Sequence, residues 1–570
     1  MANVRFRAWY LTSPLVVMML LGACAQPAPS APTSGAAAPT PAPAATVAKP
    51  AAPAATTAPT AAAGSTATDK TFVYGFTQNP VGGCDGTQIT VVATTGNCPL
   101  LNQEALIRYD DATKKIAPAL AESWTYDGMS ATFKLRSGVK FQDGTPFNAD
   151  AVVYNYRRVW DPTFPANQGL KFPYASNVPF KSVEKVDDMT VKVAFSQARA
   201  DTLLYMTTWP AMVQSPTALQ NISPADYTFK PVGTGPYVVT TYQDNARIEM
   251  DRNDSYWGPK PAFKKIIMVI KQDSAALVND LLSGATDAMR DPSIEQMDQI
   301  TGKGLKIDTS SSLIFYGAQI NVMKPPFDDV KVRQAANYAI DKDALSKLSK
   351  GQAKPMFGAV PDSMREYNAS VSDYKYDPKK AGQLLDDAGW TLPGGGKVRQ
   401  KNGESLTVSI IQRTGYSGAT ALLTPSILSN LQDVGFDVKT VTVEQALQYT
   451  DQGYFDTSKW NIAIGGWSSA IPDATATLSL WTSAMLRPNG LNMGGYSNKD
   501  FDQKMADAGA AIDTDTHDKL LKDAQVILKN DAPWLWVYQQ QNVIAYNPAK
   551  VASAPFRDLG VLDILRVEPK

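Results

Sequence analysis

Short apolar runs and helical spacings divide the chain into alternating strands and helices. Residues 71–76 and 131–135 predict strands, and the second is followed by an Asp143-Gly144 turn. Asn148 can cap a helix reaching about residue 160, because Val152, Val153, Tyr156 and Val159 recur on one face. Residues 183–186 and 190–195, joined through Asp187-Asp188, predict a hairpin whose second arm turns Val191, Val193 and Phe195 to one side. Strand 265–270, helix 274–283 and strand 286–289 then form a βαβ-like unit, of the kind that builds a sheet covered by helices.

The C-terminal half is more regular. Helices are predicted at 378–388, 419–433, 501–509 and 514–530, and strands at 406–411, 436–441 and 462–465. In the first of these helices Ala381, Leu384, Leu385 and Ala388 face inward. Two α/β lobes of comparable size, without an internal repeat, predict a site in the cleft between them.

Composition narrows the function. The 570 residues carry 54 Lys+Arg against 54 Asp+Glu, so no positive field gathers nucleic acid. One histidine starves any mechanism built on a His dyad or a His-rich metal site. The single long apolar stretch follows Arg5 and Arg7 and ends in Leu21-Gly22-Ala23-Cys24, which resembles the bacterial lipoprotein box. Residues 1–23 therefore read as a signal peptide and Cys24 as the lipidated first residue; a plain secretory signal is the alternative. Residues 24–68 are nearly all Ala, Pro, Thr, Ser and Gly, with Lys49 their only charge. Such a segment forms a disordered tether reaching about 40 Å or more. The expectation is an exported protein, lipid-anchored on the outer face of the bacterial cytoplasmic membrane.

Removing Cys24 leaves Cys84 and Cys98 in an oxidising compartment, and a disulfide between them is the expected pairing. Two buried free thiols are the alternative. Metal binding by two cysteines without a nearby histidine is weaker still.

Several stretches in fixed order resemble the large extracytoplasmic solute-binding proteins, family 5, of peptide, nickel and oligosaccharide ABC importers. They include Pro118-Ala-Leu-Ala-Glu-Ser-Trp124, the block from Phe133 to Phe147 leading into Asp150, Gly233-Thr-Gly-Pro-Tyr237, Tyr256-Trp257-Gly258 and Pro326-Phe-Asp-Asp329. These motifs are chiefly scaffold: Asp329 can cap the helix carrying Arg333 and Tyr338, and Gly235 permits an unusual backbone entry into a strand. The resemblance implies a two-lobed α/β periplasmic-binding-protein-like fold of type II, in its large three-domain form. Domain I would comprise residues 69–108, 232–315 and 536–570, the inserted domain II 109–231, and domain III 316–535. The chain crosses between domains I and III near 315–321 and 534–539, which are the expected hinge.

The resemblance also implies ligand contacts. Dipeptide-binding relatives hold the ligand carboxylate with an Arg just after a domain III strand, and Arg413 followed by Tyr416 matches that position. Pairing of Arg413 with a surface acid is the competing reading. The relatives' Asp for the ligand amine is replaced here by Ala470, three residues beyond Trp467. Asp473 is the nearest substitute, and a helix cap for 474–481 is its other reading. Tyr316, Tyr416, Trp467 and Trp481 can serve as aromatic platforms or as core. His517, on a polar helix with Asp513, Asp515, Asp518 and Lys519, is expected to be solvated, with no metal site and no cofactor. Ser137-Gly-Val-Lys140 and Ser182-Val-Glu-Lys185 match S-x-x-K, but neither K-T-G nor S-D-N completes the site. Gly394-Gly-Gly-Lys397 lacks the Ser or Thr of a phosphate loop and reads as a hairpin turn. The resulting expectation is a monomeric, membrane-anchored receptor that passes a peptide-like solute to an ABC permease and its ATPase. An oligosaccharide is the alternative solute, and a carboxylate-type hydrolase the alternative from another class.

Overall fold

The computed structural model describes residues 67–77, 83–88, 97–167, 170–172, 174–469, 471–557 and 560–570. The signal segment, Cys24, the tether up to residue 66 and Ala470 lie outside them. One eleven-stranded sheet organises the molecule. Its strands are β1 Thr71–Phe76, β2 Tyr237–Gln243, β3 Arg247–Arg252, β4 Lys265–Ile270, β5 Ala288–Arg290, β6 Lys306–Ile320, β7 Ala353–Pro355, β8 Thr407–Arg413, β9 Asp437–Val443, β10 Ile462–Ser468 and β11 Trp534–Tyr546. They lie in the order β2-β3-β4-β1-β5-β11-β6-β10-β8-β9, with β7 attached to β11. At one end β4, β1 and β5 run parallel, and at the other β10, β8 and β9 do.

The long antiparallel strands β6 and β11 join these two ends. Their ladder runs from Lys306↔Tyr546 to Ser311↔Gln541 and resumes at Phe315↔Gln539, so β6 carries extra residues between the two registers. The Gln539 side-chain amide fills the break by donating to the Ser312 carbonyl at 2.7 Å. A second shift follows between Tyr316 and Gly317. Neither crossing strand announces itself as a strand in the sequence. β11 is buried at twelve of its thirteen positions, so it shows no alternation, and Gln539 to Asn542 interrupt its apolar run.

Among the described residues the three largest apolar cores are separate from one another. The largest draws on residues between Leu313 and Tyr538. A second lies among residues 105–213 and receives Ile471. The third packs Phe72 and Tyr74 against Ile266, Met268 and Ile544. The second core covers its own antiparallel sheet, in the order Ala121–Tyr126, Ser130–Leu135, Thr190–Phe195, Phe180–Asp187. Helix Ala149–Trp160 lies on that sheet; Asn148 caps it, and Val152, Tyr156 and Val159 are buried.

Other local expectations meet their residues. Asp329 caps helix Val330–Ala339 by accepting from the Lys331 N–H. The glycines at Gly394 to Gly396 fall inside a turn closed by an antiparallel bridge between Thr391 and Gln400. Gly235 needs glycine for a reason other than backbone conformation. Its φ is not left-handed, but a Cβ there would lie 2.6–2.7 Å from the backbone of Asn102 and Leu101. Cys84 and Cys98 form a disulfide with their Cα atoms 5.3 Å apart. Beside it, buried Asp85 pairs with Arg158 at 3.4 Å and so links this loop to helix Ala149–Trp160.

One buried charge makes a pH prediction. Lys342 is 1% exposed, donates from Nζ to the Tyr374 carbonyl at 2.6 Å, and has no acid in ion-pair contact among the described residues. Burial pulls its ammonium down to about 7. The unfolded chain therefore binds more protons than the native one between pH 7 and about 10, so stability rises with pH there. Relative to Lys342→Met, the native protein should gain about 1 kcal/mol per pH unit across that window. Urea midpoints at pH 7, 8, 9 and 10 check this; parallel curves for the two proteins contradict it.

Candidate functional site

The parallel strands β8 and β9 end side by side at Arg413 and Val443, and β10 continues past them to Ser468. The carboxyl edge of parallel strands is where open α/β sheets take ligands. Arg413 is the last residue of β8 and is half-buried. Its guanidinium carbon lies 4.2 Å from the centre of the Tyr416 ring, and its Nη1 donates to the Thr414 carbonyl at 2.9 Å. Among the described residues no carboxylate pairs with it. Tyr416 is itself fixed by donating to the Ile464 carbonyl at 3.1 Å.

Tyr316 lies close to the same guanidinium. Burial pushes its phenol up, and the Arg413 charge opposes that shift. Its ring stacks on Tyr538 at 5.4 Å between centroids, and Tyr538 shares a 3.0 Å hydroxyl contact with Thr420. Tyr316 pairs with Gly466, whose missing side chain leaves room for the tyrosine ring; a Cβ there would sit 2.6 Å from it.

Trp467 is one residue further along β10, so it points to the opposite face of the sheet from Gly466 and Tyr316. It lines a small pocket with Gln319, Tyr449, Tyr454, Leu480 and Met493, and its indole N–H donates to the Ala476 carbonyl at 3.2 Å. The Arg413 charge acts on Tyr449 and Tyr454 as well as on Tyr316. Tyr449 and Tyr454 belong to the β9–β10 connection, where an isolated tyrosine in a polar loop gives no periodic signal. Trp481 is core, packed against Phe315 and Trp534.

Asp473 stands apart from this group. It caps helix Ala474–Leu478 by accepting from the Thr475 N–H at 2.7 Å, and its other oxygen lies 3.1 Å from His517 Nε2. With both oxygens engaged and 3% exposure, it acts as the cap rather than as an open partner for an amine. The expectation of a solvated His517 is corrected: the residue is 2% exposed. Its helix, Thr514–Asp531, buries His517, Leu521, Ala524, Gln525 and Leu528, a stripe at helical spacing. The acidic sequence neighbours that suggested solvation occupy the other faces.

Residues 115–485 match the family described as bacterial extracellular solute-binding proteins, family 5 Middle. The chain belongs to this family. It is similar to heme-binding protein A of Haemophilus influenzae, with 30% identity over 82% of this chain and 87% of the relative. It is equally similar to the dipeptide-binding protein of Escherichia coli, with 30% identity over 82% of this chain and 88% of the relative. Among solved structures, HbpA2 from Haemophilus parasuis superposes with a TM-score of 0.77 at 23% identity, covering 88% of this chain and all of that one. AppA from Bacillus subtilis, in complex with a nonapeptide, gives 0.63 at 22% identity over 88% and 99%. Family 5 members are extracytoplasmic solute-binding proteins of ABC importers, not enzymes, and this chain shares their two-lobed α/β fold. Among the described residues no helix is long and apolar enough to cross a membrane.

Proposed function

We propose that this family 5 protein captures a peptide-like solute and that Arg413 receives its carboxylate. The observation carrying this reading is a half-buried guanidinium at the carboxyl edge of parallel strands, stacked on Tyr416 and left without an acidic partner among the described residues. A planar fork held in that way presents two parallel N–H donors to a carboxylate. Tyr316 and Tyr416 supply apolar surface beside it, and among similar proteins one is named for dipeptides and others for glutathione. The solute lies between a lobe of residues 69–108, 232–315 and 536–570 and a lobe of residues 316–535, with 109–231 inserted into the first. The lobes close about β6 and β11, whose interrupted ladder allows bending at the crossing. Closure follows only if the solute contacts both lobes better when they are shut.

Cys24 carries the lipid, residues 24–68 act as the tether, and the closed monomer docks on an ABC permease. A carboxylate requirement is checked by calorimetry with short peptides and their C-terminal amides. Free acids should bind at least ten times more tightly than amides of the same sequence. Equal affinity removes Arg413 from the role of carboxylate anchor.

A further inference from the structure

The side of the largest core facing residues 199–206 holds a group of side chains outside the solute site proposed above. Glu366, Asp473 and His517 come from three separate segments and are all buried. One ligand atom of each lies within 4.8 Å of the others.

Each of the three is held from behind. His517 Nδ1 lies 2.8 Å from the Ala508 carbonyl oxygen, which can only accept, so Nδ1 carries the proton and Nε2 is turned to the cluster. The Thr475 N–H holds one oxygen of Asp473, leaving Oδ2 facing Nε2 at 3.1 Å. Arg365, which also pairs with Asp518 at 2.8 Å, holds Glu366 Oε1 at 2.7 Å. Glu366 Oε2 is buried without any hydrogen-bond partner.

An unpartnered carboxylate oxygen in a buried site is expensive, and a cation relieves it. The 3.1 Å separation of Nε2 and Oδ2 is close to the edge of a tetrahedron whose bonds are about 2.0–2.1 Å, the length of Zn–N and Zn–O bonds. A carbonyl behind the imidazole and a hydrogen-bond donor behind each carboxylate are the supports that metal-ligating side chains use. Two carboxylates match a divalent charge, with the ion taking the place of the proton that otherwise bridges His517 Nε2 and Asp473 Oδ2.

We propose that Glu366, Asp473 and His517 form a binding site for a divalent transition-metal cation, with Zn2+ the best match to the donor set. The ion would join the loop carrying Glu366, the helix capped by Asp473 and helix Thr514–Asp531 directly beneath the contact with the second core. Ile471 enters that core, and the Ala200 N–H donates to the Gly509 carbonyl across the same contact.

The test uses the whole chain, stripped with a chelator and titrated with Zn2+ alone, with calorimetry for affinity and elemental analysis for stoichiometry. The expected result is one Zn2+ per chain, with His517→Arg reducing affinity at least 100-fold and Glu366→Gln at least tenfold. His517→Arg keeps a cation beside Asp473 while removing the ligand nitrogen, and its urea midpoint, with Glu366→Gln as the second variant, separates lost binding from lost folding. Absence of saturable uptake by the native protein, or equal affinity in His517→Arg, overturns the proposal and leaves an imidazolium–carboxylate pair.

Discussion

Arg413→Ala is expected to lower affinity for a carboxylate-bearing peptide by about 10² to 10³-fold, or roughly 3–4 kcal/mol. Truncation of one partner in a desolvated, hydrogen-bonded charge pair has effects of this size, because the other partner is left buried and unpaired. Arg413→Lys should fall between, since an ammonium keeps the charge but not the planar fork. Stability provides the control. Arg413 makes one hydrogen bond to the Thr414 carbonyl and stacks on Tyr416, so its loss should leave the urea midpoint almost unchanged. Calorimetry on the two variants separates the cases. Unchanged affinity, or a loss of binding that follows a loss of folding, contradicts the assigned role.

Gly317→Ala is expected to destabilise the protein by about 4 kcal/mol or to prevent folding. Gly317 sits where the β6–β11 ladder shifts register, and a Cβ there would lie 2.0 Å from the Leu535 carbonyl oxygen and 2.6 Å from Trp534 Nε1. The first contact is with backbone, so no rotamer change relieves it. The crossing strands must then separate, and both ends of the sheet depend on them. Urea unfolding of the variant measures the effect; a midpoint within experimental error of the native value would show that the strands can give way freely.

How much of this was legible in the sequence follows from how local the signals are. Asn148 and Asp329 were readable as caps because a cap needs only its own side chain and the next turn. The family motif singles out Arg413 and Tyr416, and the structure sets the Arg413 guanidinium 4.2 Å from the centre of the Tyr416 ring. Trp467, which the sequence offers as platform or core, lies on the other face of the sheet from Tyr316 by strand alternation. The crossing strands escaped because Gln539 and Asn542 are polar residues at buried positions, satisfied by bonds to distant backbone or side chains. His517 was misjudged because its burial depends on which helix face meets the core rather than on its neighbours in sequence. Glu366 lies in an irregular segment, where no period marks a residue as buried.

The most direct test of solute capture without turnover is native mass spectrometry after incubation with a mixture of intact short peptides. The account predicts one peptide per chain, retained at its original mass after prolonged incubation and released unchanged. Cleaved fragments in place of the bound peptide, or no bound species at all, would contradict it.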